Sequence, residues 1–133
     1  KISVIIPVYN AQHVLPAALG SVLSQGIEDL EIILINDGSK DDSLSLCRQY
    51  AARDGRIVVI DQQNAGPGAA RNAALKVAKG RYISFVDSDD SLQPGAYRNM
   101  LDAIQEDDAC MVIAHFNILM SNYEAINQRA TWA

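Results

Sequence analysis

Glu31-Ile32-Ile33-Leu34-Ile35-Asn36 places four large aliphatic residues in a row between two polar ends. A strand with one wet face alternates apolar and polar residues; this one does not, so both of its faces need cover. The same reading applies to Ile2–Val8, Arg56–Asp61, Arg81–Val86 and Ala109–His115. Between these runs the period changes from two to about 3.6. Val14–Gln25 carries Leu15, Leu19, Val22 and Leu23 on one helical face, and Ser43–Arg53 carries Leu44, Cys47 and Ala51. Gly68–Lys79 is an alanine-rich helix, with Gly80 where a C-terminal stop belongs. Gly95–Gln105 runs through Tyr97, Met100, Leu101 and Ile104, with Pro94 near its start. The tail from Asn122 shows no clear period. The order is βαβαβαβαβ. Right-handed crossovers turn it into an open, doubly wound, mostly parallel sheet with helices on both faces.

Length and charge narrow the functional classes. A chain of 133 residues suits one domain and buries roughly two-thirds of its unfolded surface. The net charge is −5 and no Lys/Arg cluster is present, which disfavours nucleic acid and anionic membrane surfaces as partners. The longest apolar stretch, Ala109 to Met120, is too short to span a bilayer and is interrupted by His115 and Asn117. Lys1 leads straight into a strand with no signal-peptide pattern, and the missing initiator Met predicts residues upstream. Cys47 and Cys110 fit no metal or redox spacing and read as buried thiols in a reducing compartment.

In open α/β sheets, ligands bind beyond the carboxyl ends of the strands. Four loops should converge there: Pro7-Val8-Tyr9-Asn10, Asn36-Asp37-Gly38-Ser39, the segment from Asp61 to Asn72, and Asp87-Ser88-Asp89-Asp90. Asp87 and Asp89 lie two apart across a small residue at a turn, so both can address one ion. Their oxygens suit a hard cation such as Mg²⁺ or Mn²⁺. The plainer reading is a solvated turn with Asp90 or Ser91 capping the next helix. An EF-hand is excluded, because Leu92 and Arg98 stand where Gly and Glu are required. Ser39 with Asp42 resembles a capping box, which leaves Asp37 free to accept from a base or a ribose hydroxyl. Gly66-Pro67-Gly68 before Arg71 matches neither a dinucleotide fingerprint nor a Walker loop. It does open a helix, whose N-terminus attracts anions, and Arg71 can grip phosphate bidentately. Tyr9 ends the first strand and reads either as a half-buried aromatic or, at the binding edge, as a residue that can stack on a nucleobase. His13 and His115 have no partner spacing and read as structural.

Charge links these residues. Two carboxylates about 4 Å apart repel by roughly 4 kcal/mol at an effective dielectric of 20. A diphosphate cannot join them unaided, whereas a divalent cation reverses the local sign. The site therefore takes a metal–diphosphate pair or no phosphate.

These motifs resemble those of the family 2 glycosyltransferases with the GT-A fold. The resemblance is carried by Ser3-Val4-Ile5-Ile6-Pro7-Val8-Tyr9-Asn10, Ile35-Asn36-Asp37-Gly38-Ser39, Asn64-Ala65-Gly66 with Ala70-Arg71-Asn72, and Gly80 through Asp90. It covers roughly residues 1–115. It implies transfer of a sugar from a nucleotide donor, usually a UDP-sugar, to an acceptor hydroxyl with inversion, in polysaccharide biosynthesis. By the same resemblance Pro7 and Tyr9 pack around the base, Asp37 bonds the base or ribose, and Arg71 lies near the base or diphosphate. Asp87 faces the ribose and the shell of a Mn²⁺ or Mg²⁺ ion, and Asp89 ligates that ion. The implied partners are the nucleotide-sugar donor and a glycan or lipid-linked acceptor. The implied location is cytoplasmic, with the full protein at the inner face of the cell membrane.

On this reading residues 1–118 form the nucleotide-sugar-binding portion, and 119–133 begin the acceptor half. The family's catalytic Asp or Glu comes from that second half, so the base is expected beyond Ala133. Two other classes fit less well. A receiver-type signalling domain needs an acidic pair after the first strand and a Lys after the fifth, where Tyr9-Asn10 and His115 stand. A non-catalytic nucleotide-binding module would differ from the enzyme in lacking the base.

Overall fold

The computed structural model describes residues 1–107, 111–112, 117–119 and 125–127. Strands β1 (Ile2–Val8), β2 (Leu30–Asp37), β3 (Ile57–Gln62) and β4 (Tyr82–Phe85) form one sheet in the order β3-β2-β1-β4. All three pairings are parallel. The sequence pattern predicts this sheet, including the unbroken apolar run of the second strand. Every residue of β2 is buried.

Both faces of the central strands are covered. Val4, Ile6, Ile32 and Leu34 point to one side and Ile5, Ile33 and Ile35 to the other, and all are fully buried. Burying each such side chain stabilises the fold by roughly 1.5–3 kcal/mol. Helix α3 (Pro67–Leu75) sets Ala70 and Ala74 against Ile5, Ile33 and Ile35. The alanines let this helix lie close to the sheet; a larger residue at either position would push it away. Helices α1 (Leu15–Leu23) and α2 (Ser43–Arg53) return the chain from β1 to β2 and from β2 to β3. Right-handed crossovers place them on the face opposite α3, because the chain reverses direction across the sheet after β3. Leu15, Ala18, Leu19 and Val22 form the buried stripe of α1 at helical spacing, and Pro16 fits its first turn.

Two local expectations change. Gly80 is not a helix stop, since α3 ends at Leu75. It is a close-approach glycine: a Cβ there would lie 2.5 Å from the Ser3 backbone nitrogen. Its N–H donates to Ser3 Oγ, Ser3 Oγ donates to the buried Glu31 carboxylate, and Glu31 also accepts the Lys79 N–H. Burial opposes ionisation of Glu31, but the hydrogen bonds from Lys79 and Ser3 outweigh it and hold its carboxyl below the ordinary range.

The capping box at Ser39 and Asp42 is also absent. Helix α2 starts at Ser43, and Asp42 makes no side-chain cap bond. Ser39 Oγ instead accepts the Asn10 N–H, and Ser43 Oγ accepts the Ala11 N–H. Gln12 N–H donates to Asp41, while Asn10 and Gln12 side chains accept the N–H groups of Lys40 and Asp42. The loops after β1 and β2 are thus stitched side by side, and Ser39 Oγ, expected to cap a helix, serves as one of the stitches. Asn10 reaches this position with a φ of 46°, a left-handed conformation that Asn tolerates better than most residues.

The chain divides into two compact units, Lys1–Ala96 and Tyr97–Ala133. The second carries nearly all of α4 (Ala96–Asp107) and an antiparallel pair, β5 (Asn117–Leu119) with β6 (Ala125–Asn127). The strand expected at 109–115 lies outside the described residues except for Met111 and Val112, which are in no strand. No described helix is long and apolar enough to cross a membrane.

Candidate functional site

A cleft of about 700 Å³ opens at the carboxyl ends of the strands. Every loop expected there contributes to it: Pro7 near the end of β1 with Tyr9 and Asn10 after it, Asp37 as the last residue of β2, Asn64, Gly66 and Arg71 around the start of α3, and Asp87 to Asp89 after β4. All predicted site residues therefore line one cavity. The reason is topological. Parallel strands deliver all their carboxyl ends to one edge, and the reversal after β3 leaves a crevice there.

Asp37 is the most constrained of these residues. It is 3% exposed, and its carboxylate accepts three hydrogen bonds. Gln62 Nε2 and the Ala65 N–H donate to Oδ1 at 2.8 and 2.9 Å, and the Gly66 N–H donates to Oδ2 at 2.9 Å. Burial works against its ionisation, yet these three donors prevail and keep the carboxyl below its ordinary value. The Asn64 amide also donates to the Asp37 carbonyl oxygen. Gly38, with a φ of 73°, lets the Asn64 backbone approach to where a Cβ would lie 2.7 Å from its nitrogen. Asp37 thus fixes the loop that leads into α3. Most of its acceptor capacity is used by the protein, whereas the sequence reading left it free for a ligand.

The acidic loop after β4 is the opposite case. One carboxylate oxygen each from Asp87, Asp89 and Asp90 lie within 4.8 Å of one another, and all three residues are exposed. Partial desolvation and the charges of Asp89 and Asp87 hold the Asp90 carboxyl above its ordinary range. Three hard oxygen donors at this spacing fit a divalent cation. Asp90 is a further candidate donor, which the sequence offered, as an alternative to Ser91, only as a cap of the next helix. It caps nothing there, because α4 begins only at Ala96. The signal was present in the run of three aspartates within four residues.

Arg71 meets this cluster. Its Nη2 donates to Asp87 Oδ1 at 2.7 Å, with the two side chains 33% and 54% exposed. Arg71 reaches the cleft from α3, whose N-terminal residues Gly66 and Pro67 also line it. Tyr9 is 49% exposed and Pro7 is half-buried, and both line the cleft. Asn10 and Asn64 are further cleft residues not singled out as ligands from the sequence.

The family model for Glycosyl transferase family 2 matches residues 3–130 of this chain. The chain belongs to glycosyltransferase family 2. Among the family's curated members, it is 38% identical to the glycosyltransferase GlyA of Streptococcus pneumoniae serotype 4 over 128 residues. That match covers 96% of this chain and 17% of GlyA. It is 42% identical over 108 residues to YibD of Escherichia coli K12, described as an uncharacterized glycosyltransferase, covering 81% of this chain and 31% of YibD. The family 2 chain thus spans well under half the length of these relatives. Among solved structures, it superposes on S. aureus TarS, crystallised with UDP, with a TM-score of 0.75 and 31% identity. This covers 81% of the chain and 33% of the crystallised TarS fragment, residues 1-349. The mannosyltransferase PcManGT of Pyrobaculum calidifontis, solved with GDP-Man and Mn²⁺, shares the fold with a TM-score of 0.73 at 23% identity. The sheet is that of the GT-A fold, as the sequence motifs led one to expect.

Proposed function

We propose that this chain is the donor-binding portion of a glycosyltransferase that moves a sugar from a nucleotide diphosphate, a UDP-sugar, to an acceptor hydroxyl with inversion at the sugar carbon. The observation that carries this reading is the cleft in which Asp87 and Asp89 of the acidic cluster, an arginine, a helix N-terminus and an exposed tyrosine converge. Each part matches one part of such a donor. Tyr9 and Pro7 offer a flat apolar wall for the base. The remaining acceptor position on Asp37 Oδ2 is available to a base N–H or a ribose hydroxyl. The N-terminus of α3 and Arg71 favour the diphosphate. Asp89 and Asp87, with Asp90 beside them, would hold Mn²⁺ or Mg²⁺. That ion supplies positive charge to the departing diphosphate. TarS, at 31% identity, was crystallised with UDP and also with UDP-GlcNAc, which supports a UDP-sugar as the donor class.

Residues 1–118 form the donor portion on this reading. The acceptor, a glycan or a lipid-linked glycan, and the carboxylate base that takes its proton belong to the remainder of the enzyme, working at the cytoplasmic face of the membrane. Calorimetry with UDP tests the donor site. Binding is expected to be strong with Mn²⁺ and weak without it, and Asp89→Ala is expected to abolish the metal-dependent part. Equal binding of UDP with and without metal, or unchanged binding by Asp89→Ala, would overturn the assignment.

A further inference from the structure

We propose that Arg71 is an internal counter-ion that blocks metal binding until a diphosphate draws it away, so that the site fills cooperatively. This inference rests on the donor-site reading above and adds to it an order of events. Arg71 Nη2 holds Asp87 Oδ1 at 2.7 Å. Asp87 also belongs to the three-carboxylate cluster, so one residue is claimed by two cations. A divalent ion ligated by Asp87 and Asp89 would stand beside a guanidinium already neutralising one of its ligands. The two like charges repel, and Asp87 cannot serve both fully.

A diphosphate resolves the conflict. It carries several negative oxygens, and Arg pairs with such groups through two parallel N–H···O bonds. Arg71 starts in the second turn of α3, whose N-terminus already favours an anion in the same cleft. Moving the guanidinium from Asp87 to the diphosphate would free Asp87 Oδ1, which could then help Asp89 hold the metal. Each ligand thereby removes an obstacle to the other. By linkage, the factor by which nucleotide tightens metal binding equals the factor by which metal tightens nucleotide binding.

The pair also offsets part of the charge of the three exposed aspartates. Arg71 removes part of the repulsion among them, and it does so from a neighbouring element, where it can leave without disturbing the acidic turn. A purely structural ion pair would make a different prediction. Its removal would loosen the turn and weaken metal binding.

The test measures Mn²⁺ binding by the electron paramagnetic resonance signal of the free ion, with and without UDP, in wild type, Arg71→Met and Arg71→Lys. Circular dichroism checks that each variant is folded. In wild type, UDP is expected to tighten Mn²⁺ binding by at least about tenfold, within the usual range of coupling between sites. Arg71→Met, which keeps the length of the stem and loses the charge, is expected to bind Mn²⁺ about tenfold more tightly than wild type without UDP and to lose most of the coupling. Arg71→Lys keeps the charge and is expected to bind Mn²⁺ without UDP as weakly as wild type. Unchanged or weaker metal binding by Arg71→Met would overturn the inference, as would Arg71→Lys behaving like Arg71→Met. A wild type in which UDP and Mn²⁺ do not bind together at all would instead sink the donor-site reading itself.

Discussion

Asp37 and the Asp87–Asp90 loop are both acidic, and both stand at carboxyl ends of strands in one sheet, yet they handle charge in opposite ways. Asp37 is buried and accepts three hydrogen bonds from the loop that opens α3 and the strand before it. Asp87, Asp89 and Asp90 are exposed, crowd one another, and have Arg71 as the cation beside Asp87. A carboxylate satisfied by its own protein builds the wall of a site. Carboxylates left in mutual repulsion are where a ligand finds its energy.

The contrast predicts opposite signs on substitution. The largest effect is expected at Asp37. Asp37→Ala strands the Gln62 amide and the Ala65 and Gly66 N–H groups, and is expected to lower the unfolding free energy by about 3 kcal/mol. Urea unfolding measures this. A loss below about 0.5 kcal/mol would mean that the loop into α3 is held by something else.

Acid provides a smaller, graded version of the same test. The carboxyl of Asp37 lies below its ordinary value of 3.8 in the folded protein, so its contribution is complete above that value and disappears as the pH falls through the folded value. Asp54, held to about 2 by hydrogen bonds from Arg56, behaves the same way. Wild type is therefore expected to lose stability steadily from about pH 5 to about pH 2. Asp37→Ala should show a shallower slope over that interval. Identical slopes in urea titrations at each pH would remove Asp37 from this account.

The smallest effect should have the reverse sign. Asp89→Asn relieves repulsion in the empty cleft and is expected to stabilise the metal-free protein by up to about 0.5 kcal/mol while losing metal-dependent UDP binding. A clear destabilisation in thermal unfolding would show that Asp89 has a structural duty and would erase the contrast with Asp37.

The sheet was legible because burial on both faces leaves a continuous apolar run, as in Ile32-Ile33-Leu34-Ile35, and because helices keep their own period between such runs. The edge that carries the site followed from topology. Individual partners were less legible, since they depend on which loops lie side by side. Ser39 and Asp42 have the right spacing for a capping box, but Asn10 and Gln12, about thirty residues away in sequence, claim that loop's polar groups. Gly80 reads as a helix stop until Ser3 is seen to press against it across the β1–β4 pairing. Arg71 and Asp87 are each readable as ligand-binding residues, and only the geometry shows them bound to each other. The tail gave no periodic signal because β6 has three residues, too few for one to show.

The stitching between the loops after β1 and β2 has one more consequence. It runs through Asn10, Gln12, Ser39, Asp41 and Ser43, together with main-chain N–H groups. Tyr9 sits within that frame, half exposed to the cleft, and takes part in none of those bonds. Its backbone is held by its neighbours, so its side chain has little structural duty among the described residues. That makes position 9 an interchangeable fitting on a fixed mount. If the cleft takes the proposed donor, replacement there is expected to alter stacking on the base without resetting the loop that presents it.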